Sequence, residues 1–127
     1  MPVTLGQEFG AYARALQKAG ARMASAAENL REIGVGGNAV GTGINTKPAF
    51  RDAIVHALNQ ATGFSFKVAG NGIEMTQFVT DMGQVSAALR LLALDLLKIT
   101  NDLRLLASGP NTGFGEIRLP AVEHGSS

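Results

Sequence analysis

Apolar or small residues fall at Leu5, Phe9, Tyr12, Leu16, Ala19, Met23, Ala26, Leu30 and Ile33 in unbroken steps of four and three. That alternation places them along one face of a helix, as a heptad seam. Just ahead of the seam, Thr4-Leu5-Gly6-Gln7 has the form of a capping box, in which the Thr4 hydroxyl takes a backbone N–H and Gln7 reaches back. A first helix is therefore predicted over about 4–33. Ala19 and Ala26, beside Gly20 and Ala27, leave little bulk in its middle, so another helix can approach closely there. Pro48 suits the first turn of a second helix, because its missing N–H would have no partner there in any case. Phe50, Ile54, Leu58 and Ala61 give that helix one apolar stripe over about 48–62, up to Gly63. The stretch 63–72 reads as a loop that can hold a short extended piece.

The third pattern is the strongest. Phe78, Met82, Val85, Leu89, Leu92, Leu96, Ile99, Leu103 and Leu106 repeat the four-three alternation, and Leu91, Leu94, Leu97 and Leu105 widen the apolar face. A helix over about 73–107 would be roughly 50 Å long at 1.5 Å per residue. A compact chain of this length is only about 36 Å across. Such a helix is too long and too apolar for its own chain to cover, so partner helices from other subunits or other sequence are expected. The predicted fold is all-α: a long-helix bundle segment of two to three helices forming a single partial domain over 1–127. A Gly-rich interhelical loop occupies 34–47, and an irregular loop closes the chain over 108–127.

Composition narrows the function classes. Charged residues make up 17% of the 127 residues and hydrophobic ones 46%, with a net charge of +1 and no cysteine. There is no electrostatic reason to expect a nucleic-acid partner, and neither a disulfide framework nor a thiolate metal site is possible. The N-terminus lacks the basic-then-apolar order of a signal peptide, since Gln7 and Glu8 come early. Arg90, Asp95 and Lys98 interrupt the Leu-rich helix, which argues against a membrane span. A cytoplasmic location is the reading that follows.

Individual motifs offer little chemistry by themselves. Gly34, Gly36 and Ala39 fit a loose G-x-G-x-x-A, but a heptad helix precedes them and Pro48 delays the next one. A phosphate loop needs a strand before it and a helix opening at it. The preferred reading is an interhelical loop whose glycines supply positive φ and close packing. His56 and His124 each lack a second histidine nearby, so no metal site is expected. Asp95, Lys98, Asn101, Asp102 and Arg104 cluster on the third helix, where Lys98 can pair with Asp95 or Asp102 at helical spacing. On composition alone, Gly125-Ser126-Ser127 reads as a flexible tail or a cloning scar.

Four segments taken in order carry a resemblance. They are Pro2-Val3-Thr4-Leu5-Gly6-Gln7-Glu8-Phe9, Gly37-Asn38-Ala39-Val40-Gly41-Thr42-Gly43-Ile44-Asn45, Lys98-Ile99-Thr100-Asn101-Asp102-Leu103-Arg104-Leu105-Leu106-Ala107-Ser108-Gly109-Pro110 and Gly113-Phe114-Gly115-Glu116-Ile117. Together they resemble the class II fumarase/aspartase superfamily over nearly the whole chain. The resemblance implies the central helical domain of a homotetramer with active sites shared by three subunits, a small dicarboxylate substrate and no organic cofactor.

The family's signature loop begins Gly-Ser-Ser and continues Ile-Met-Pro-x-Lys-x-Asn-Pro. The resemblance thus assigns Ser126 as the catalytic base that removes a proton next to a carboxylate. Asn38 stands where Thr is common, Asn111-Thr112 where Arg-Ala is common, and His124 where Pro is frequent. Asn101-Asp102-Leu103-Arg104-Leu105-Leu106 and Val85-Ser86-Ala87-Ala88-Leu89 look more like aspartases than fumarases. The expectation is part of an aspartate ammonia-lyase, with fumarate hydratase as the rival and a non-catalytic self-associating module as the alternative from another class. Most substrate-binding residues of the family lie outside this sequence, so the 127-residue chain alone is expected to be inactive.

Overall fold

The computed structural model describes residues 1–120. Four α-helices dominate: α1 over Leu5–Asn29, α2 over Pro48–Thr62, α3 over Gly72–Gln77 and α4 over Thr80–Leu106. A 3-10 turn spans Asn38–Val40, and two short strands, β1 (Glu32–Ile33) and β2 (Lys67–Val68), complete the described residues. The chain divides into two compact units, one formed by Met1–Lys18 with the chain from Arg90 onward, the other by Ala19–Leu89.

In the first unit, α1 opens as its sequence requires. The Thr4 N–H donates to Gln7 Oε1 at 2.9 Å and the Gln7 N–H donates to Thr4 Oγ1 at 3.2 Å, a reciprocal capping box. Tyr12 is the large side chain buried in this unit. It lies edge-on to Phe9, with ring centroids 5.7 Å apart.

In the second unit, the first helix is shorter than its heptad pattern suggested. It ends at Asn29 rather than near 33, and Glu32–Ile33 instead pairs in parallel with Lys67–Val68. The ladder is carried by the Lys67 N–H on the Arg31 carbonyl (2.7 Å) and the Ala69 N–H on the Ile33 carbonyl (3.0 Å). Ile33 satisfies either reading, because a β-branched residue half-buried at that point fits a strand as well as a seam. Helix α2 begins at Pro48 and stops where Gly63 turns left-handed at φ 73°, its N–H capping the Asn59 carbonyl. The Asn59 side chain then clasps the returning chain, donating to the Phe66 carbonyl (3.0 Å) and accepting from the Phe66 N–H (2.6 Å).

The single helix expected over 73–107 is two helices. Asn71 Oδ1 accepts from the Ile73 and Glu74 N–H groups, both at 3.1 Å, and starts the six-residue α3. Phe78 is extended at φ −115°, ψ 141°, and α4 begins afresh at Thr80 with Asp81 in its first turn. The interruption falls where Thr76, Val79 and Thr80 crowd together, residues stiff at χ1 and weak in helices. Spacing could not reveal it, since Phe78 and Met82 stand four apart on either side of the break and keep the seam in phase.

The core of the second unit is built largely of small side chains. Ala19 is fully closed off, and Ala26, Ala69 and Ala88 are buried beside Val55. By contrast, the large apolar side chains of α4 stay open: Leu94 is 52% and Leu97 57% exposed, with Leu89, Leu91, Leu96 and Leu105 similar. This is the excess apolar surface expected from the sequence. No helix among the described residues is long and apolar enough to cross a membrane.

Candidate functional site

Ser126, the residue assigned as base, lies among residues 121–127, outside the described residues, as does His124. What is described is the stem that leads to it. Beyond Leu106 the chain caps its own helix: the Ala107 N–H donates to the Leu103 carbonyl (3.0 Å) and the Ser108 N–H to the Leu105 carbonyl (3.1 Å). It then folds back. The Phe114 N–H donates to Ser108 Oγ (3.2 Å), the Gly115 N–H to the Ser108 carbonyl (2.8 Å) and the Glu116 N–H to the Leu106 carbonyl (2.9 Å). These bonds satisfy carbonyls that the end of a helix leaves open. An open cavity of about 640 Å³ lies along this stem, with Ser108, Glu116 and Arg118 on its wall.

One turn before the stem, a polar clasp joins α1 to α4. The buried Tyr12 hydroxyl donates to Asp102 Oδ2 at 2.7 Å, with Glu8 Oε1 at 3.3 Å as a second acceptor. Lys98 forms an ion pair with the same Asp102 oxygen and sits 5.1 Å over the Tyr12 ring. The hydrogen bond to Asp102 raises the Tyr12 phenol well above its ordinary range. Lys98 first, and Tyr12 second, hold the Asp102 carboxyl below the usual carboxylate range. Tyr12 therefore keeps its proton near neutral pH and Asp102 stays ionised. What the geometry shows of the clasp is a tie between α1 and α4.

Of the polar residues clustered on the third helix, Lys98 and Asp102 are brought together in this way. Tyr12 was hidden in the sequence by its position in an apolar seam. The one available clue was that it is the chain's single tyrosine and its ring interrupts an otherwise aliphatic and phenylalanine row.

The Gly-rich loop folds as an interhelical connection in the second unit. The Gly37 N–H donates to the Gly34 carbonyl (3.1 Å), the Gly43 N–H to the Gly37 carbonyl (2.9 Å) and the Thr46 N–H to the Gly43 carbonyl (2.9 Å). Asn38 adopts a left-handed φ of 58°, and its amide donates to the Ile44 carbonyl and to Thr46 Oγ1, pinning both arms of the loop. Strand β1 does precede this loop, but no α-helix opens at its glycines, and the Gly37, Gly43 and Thr46 amides are bonded within the loop.

Gly41 meets Gly72 backbone to backbone: a Cβ on Gly41 would lie 1.9 Å from the Gly72 carbonyl oxygen. Arg51 supports the loop from below, its Nε donating to the Val35 carbonyl at 3.3 Å and its Nη2 enclosed without a partner among the described residues. That support was not anticipated from sequence. Thr46, Lys47 and Phe50 line an open, mainly apolar cavity of about 420 Å³. His56 is exposed, and among the described residues no group of acidic or histidine side chains could hold a metal ion.

A family model described as "Lyase" matches residues 1–127. An aspartate ammonia-lyase of Helicobacter pylori is 44% identical over 127 residues, which are all of this chain and 27% of that protein. A class II fumarate hydratase of Corynebacterium efficiens is 45% identical over 128 residues, with the same coverage of both chains. Among solved structures, a class II fumarase of Schistosoma mansoni superposes with a TM-score of 0.94 at 33% identity, covering all of this chain and 30% of that one. A fumarate lyase:delta crystallin of Brucella melitensis bound to cobalt gives 0.93 at 45% identity, covering 99% of this chain and 27% of that one. The chain thus spans about 27% of the length of the curated relatives it matches.

Proposed function

The chain belongs to the fumarase/aspartase family of lyases, and on that premise we propose that it forms the central helical segment of an enzyme that releases fumarate by β-elimination from L-aspartate. Ammonia is the leaving group. Ser126 is the base that takes the proton from the carbon next to a carboxylate, while ammonia departs from the neighbouring carbon. A free serine hydroxyl is a poor base at neutral pH, so the reaction needs surroundings that stabilise the alkoxide and the doubly charged carbanion. The role of Ser126 is what the resemblance of Gly125-Ser126-Ser127 to the family's signature loop implies. The lysine and asparagine of the family's signature, expected after Ser127, would supply positive charge and a donor.

The observation that carries this reading is the match to the family along the whole chain, with the stem over 108–117 folded back on α4 ahead of Gly125-Ser126-Ser127. Aspartate is preferred over malate on the aspartase-like segments Asn101–Leu106 and Val85–Leu89. The fumarate hydratase relatives of equal identity make malate the rival substrate. The test is fumarate formation followed by ultraviolet absorbance, using the full-length coding region that contains this segment. Turnover of L-aspartate but not malate is expected. Turnover of malate alone would move the assignment to hydration, and turnover of neither would remove it. The 127-residue chain by itself should form no fumarate.

The same reading accounts for the open face of α4. Its exposed leucines are covered by helices of other copies in a homotetramer, as a long-helix bundle requires. Burying a leucine fully stabilises by about 1.5–3 kcal/mol, so several half-exposed ones together give a gain of the same order as the cost of association. Sedimentation equilibrium should show a multimer; a well-folded monomer would refute this.

A further inference from the structure

We propose that the Asn71-Gly72 step is a modification site, where spontaneous deamidation is held back by the fold of α3 and, once it occurs, parts that helix from the Gly-rich loop. It is the chain's one Asn-Gly pair. Glycine leaves the backbone nitrogen after the asparagine unhindered, and Asn71 is exposed to water. The reaction needs only the chain and its solvent. The Gly72 amide gives its proton to hydroxide, and its nitrogen attacks Asn71 Cγ. A cyclic imide closes, and the side-chain nitrogen leaves as ammonia. Water then opens the ring. Cleavage between the Gly72 nitrogen and Cγ yields aspartate; cleavage between that nitrogen and the Asn71 carbonyl carbon yields isoaspartate, whose backbone runs through Cγ. Either product carries one new negative charge.

The structure opposes the first step at several points, all within one unit. Asn71 Oδ1 accepts from the Ile73 and Glu74 amides, both at 3.1 Å, and the Asn71 carbonyl accepts from the Met75 N–H at 3.1 Å. With ψ 100° at Asn71, the Gly72 nitrogen is turned away from the side chain it must attack. Bringing it round swings the Asn71 carbonyl off the Met75 amide. Gly72 is fixed in turn by the Thr76 hydroxyl, which donates to its carbonyl at 2.8 Å. Half-buried Met75 anchors α3 from the other side, its Cγ 3.0 Å from where a Cβ on Gly34 would stand. Ring closure therefore waits for α3 to open.

Isoaspartate makes the opening lasting. It adds an atom to the backbone beside a contact with no room for a methyl, since a Cβ on Gly72 would lie 2.1 Å from the Gly41 carbonyl oxygen. Gly72 cannot return against Gly41, and the Gly-rich loop loses its support from α3. Nothing in this inference depends on Ser126 or on the substrate.

The rate is read by incubating the chain in mildly alkaline buffer, then mapping peptide masses and labelling with an isoaspartyl methyltransferase. The folded chain should react at Asn71 at least about tenfold more slowly than the chain unfolded in urea. Met75→Ala leaves Asn71-Gly72 intact but loosens α3, and should quicken the reaction about fivefold. Gly63→Ala, whose added methyl meets nothing within 4 Å, should keep the folded rate. Equal rates in the folded and unfolded chain, or Met75→Ala no faster than the original, would overturn the guarding role of α3. Deamidation of the unfolded chain spread evenly over its asparagines would remove the site itself. If Met75→Ala does not fold by circular dichroism, urea below the unfolding transition replaces it: the rate at Asn71 should rise before the helical signal falls, and a rate that only follows that signal refutes local opening. In the isoaspartyl product, hydrogen exchange over 34–46 should be faster than in the original chain; unchanged exchange there would sink the claim that α3 parts from the loop.

Discussion

Replacing Gly41 by alanine should be among the most damaging single-methyl additions this chain can suffer, and the structure allows its cost to be separated into two parts. Gly41 has φ +82°, and a Cβ there would stand 1.9 Å from the Gly72 carbonyl oxygen and 2.7 Å from the Ile73 nitrogen. The left-handed conformation alone costs an L-residue about 1–2 kcal/mol. The overlap falls on backbone, which cannot swing aside as a side chain can, so the Gly-rich loop and the start of α3 must separate. Overpacking of this kind adds about 1–3 kcal/mol, giving roughly 2–5 kcal/mol in all.

Two other glycines provide the separate terms. Gly63 has nearly the same angle, φ +73°, with nothing within 4 Å of where an added methyl would sit, so Gly63→Ala measures conformation alone. Gly72 has no left-handed φ, yet its Cβ would lie 2.1 Å from the Gly41 carbonyl oxygen, so Gly72→Ala measures the clash alone. Urea denaturation followed by far-ultraviolet circular dichroism gives the three values under one set of conditions. The expected order is Gly41→Ala worst, then Gly72→Ala, then Gly63→Ala near 1 kcal/mol. If Gly41→Ala cost no more than Gly63→Ala, the close backbone contact would not exist in solution and the account of the loop would fail.

Three further outcomes are expected. Because the chain has one tyrosine and no tryptophan, tyrosinate absorbance reports Tyr12 alone; the phenol should resist ionisation well past the ordinary value near 10, and Asp102→Asn should bring it back toward that value. Asp102 is held below its ordinary range by Lys98 and Tyr12, so its contribution to stability is present above about pH 4 and is lost as pH falls through the depressed value. Asp102→Asn should accordingly flatten the acid limb of the stability–pH curve, and an unaltered limb would count against the clasp. Asn71→Ala removes the acceptor for two α3 amides and should cost about 1 kcal/mol by the same urea measurement.

How far the sequence could be read depended on the range of the forces involved. Local signals were legible: the Thr4–Gln7 box and the run from Pro48 to Gly63 specify helix ends through groups three or four residues apart, and α2 begins and ends where those residues stand. Period alone was less informative. It continued α1 through Leu30 and Ile33 and fused α3 with α4, because an apolar residue every three or four positions is equally compatible with a helix that has been broken and resumed in phase. Two different things decided those points: for α1 a partner far along the chain, in the pairing of Ile33 with Val68, and between α3 and α4 the local run of Thr76, Val79 and Thr80 around the extended Phe78.

The same distinction governs the site. Lys98 and Asp102 are neighbours on one helix and were legible, whereas Tyr12 comes to them from a different helix. The excess of leucines on α4 was visible as composition and remains visible as exposed surface, since nothing among the described residues covers it. The unburied apolar area of α4 is thus the feature that composition and structure display alike. On the reading proposed above, other copies of the chain cover that leucine face and the reaction turns on the short segment that contains Ser126.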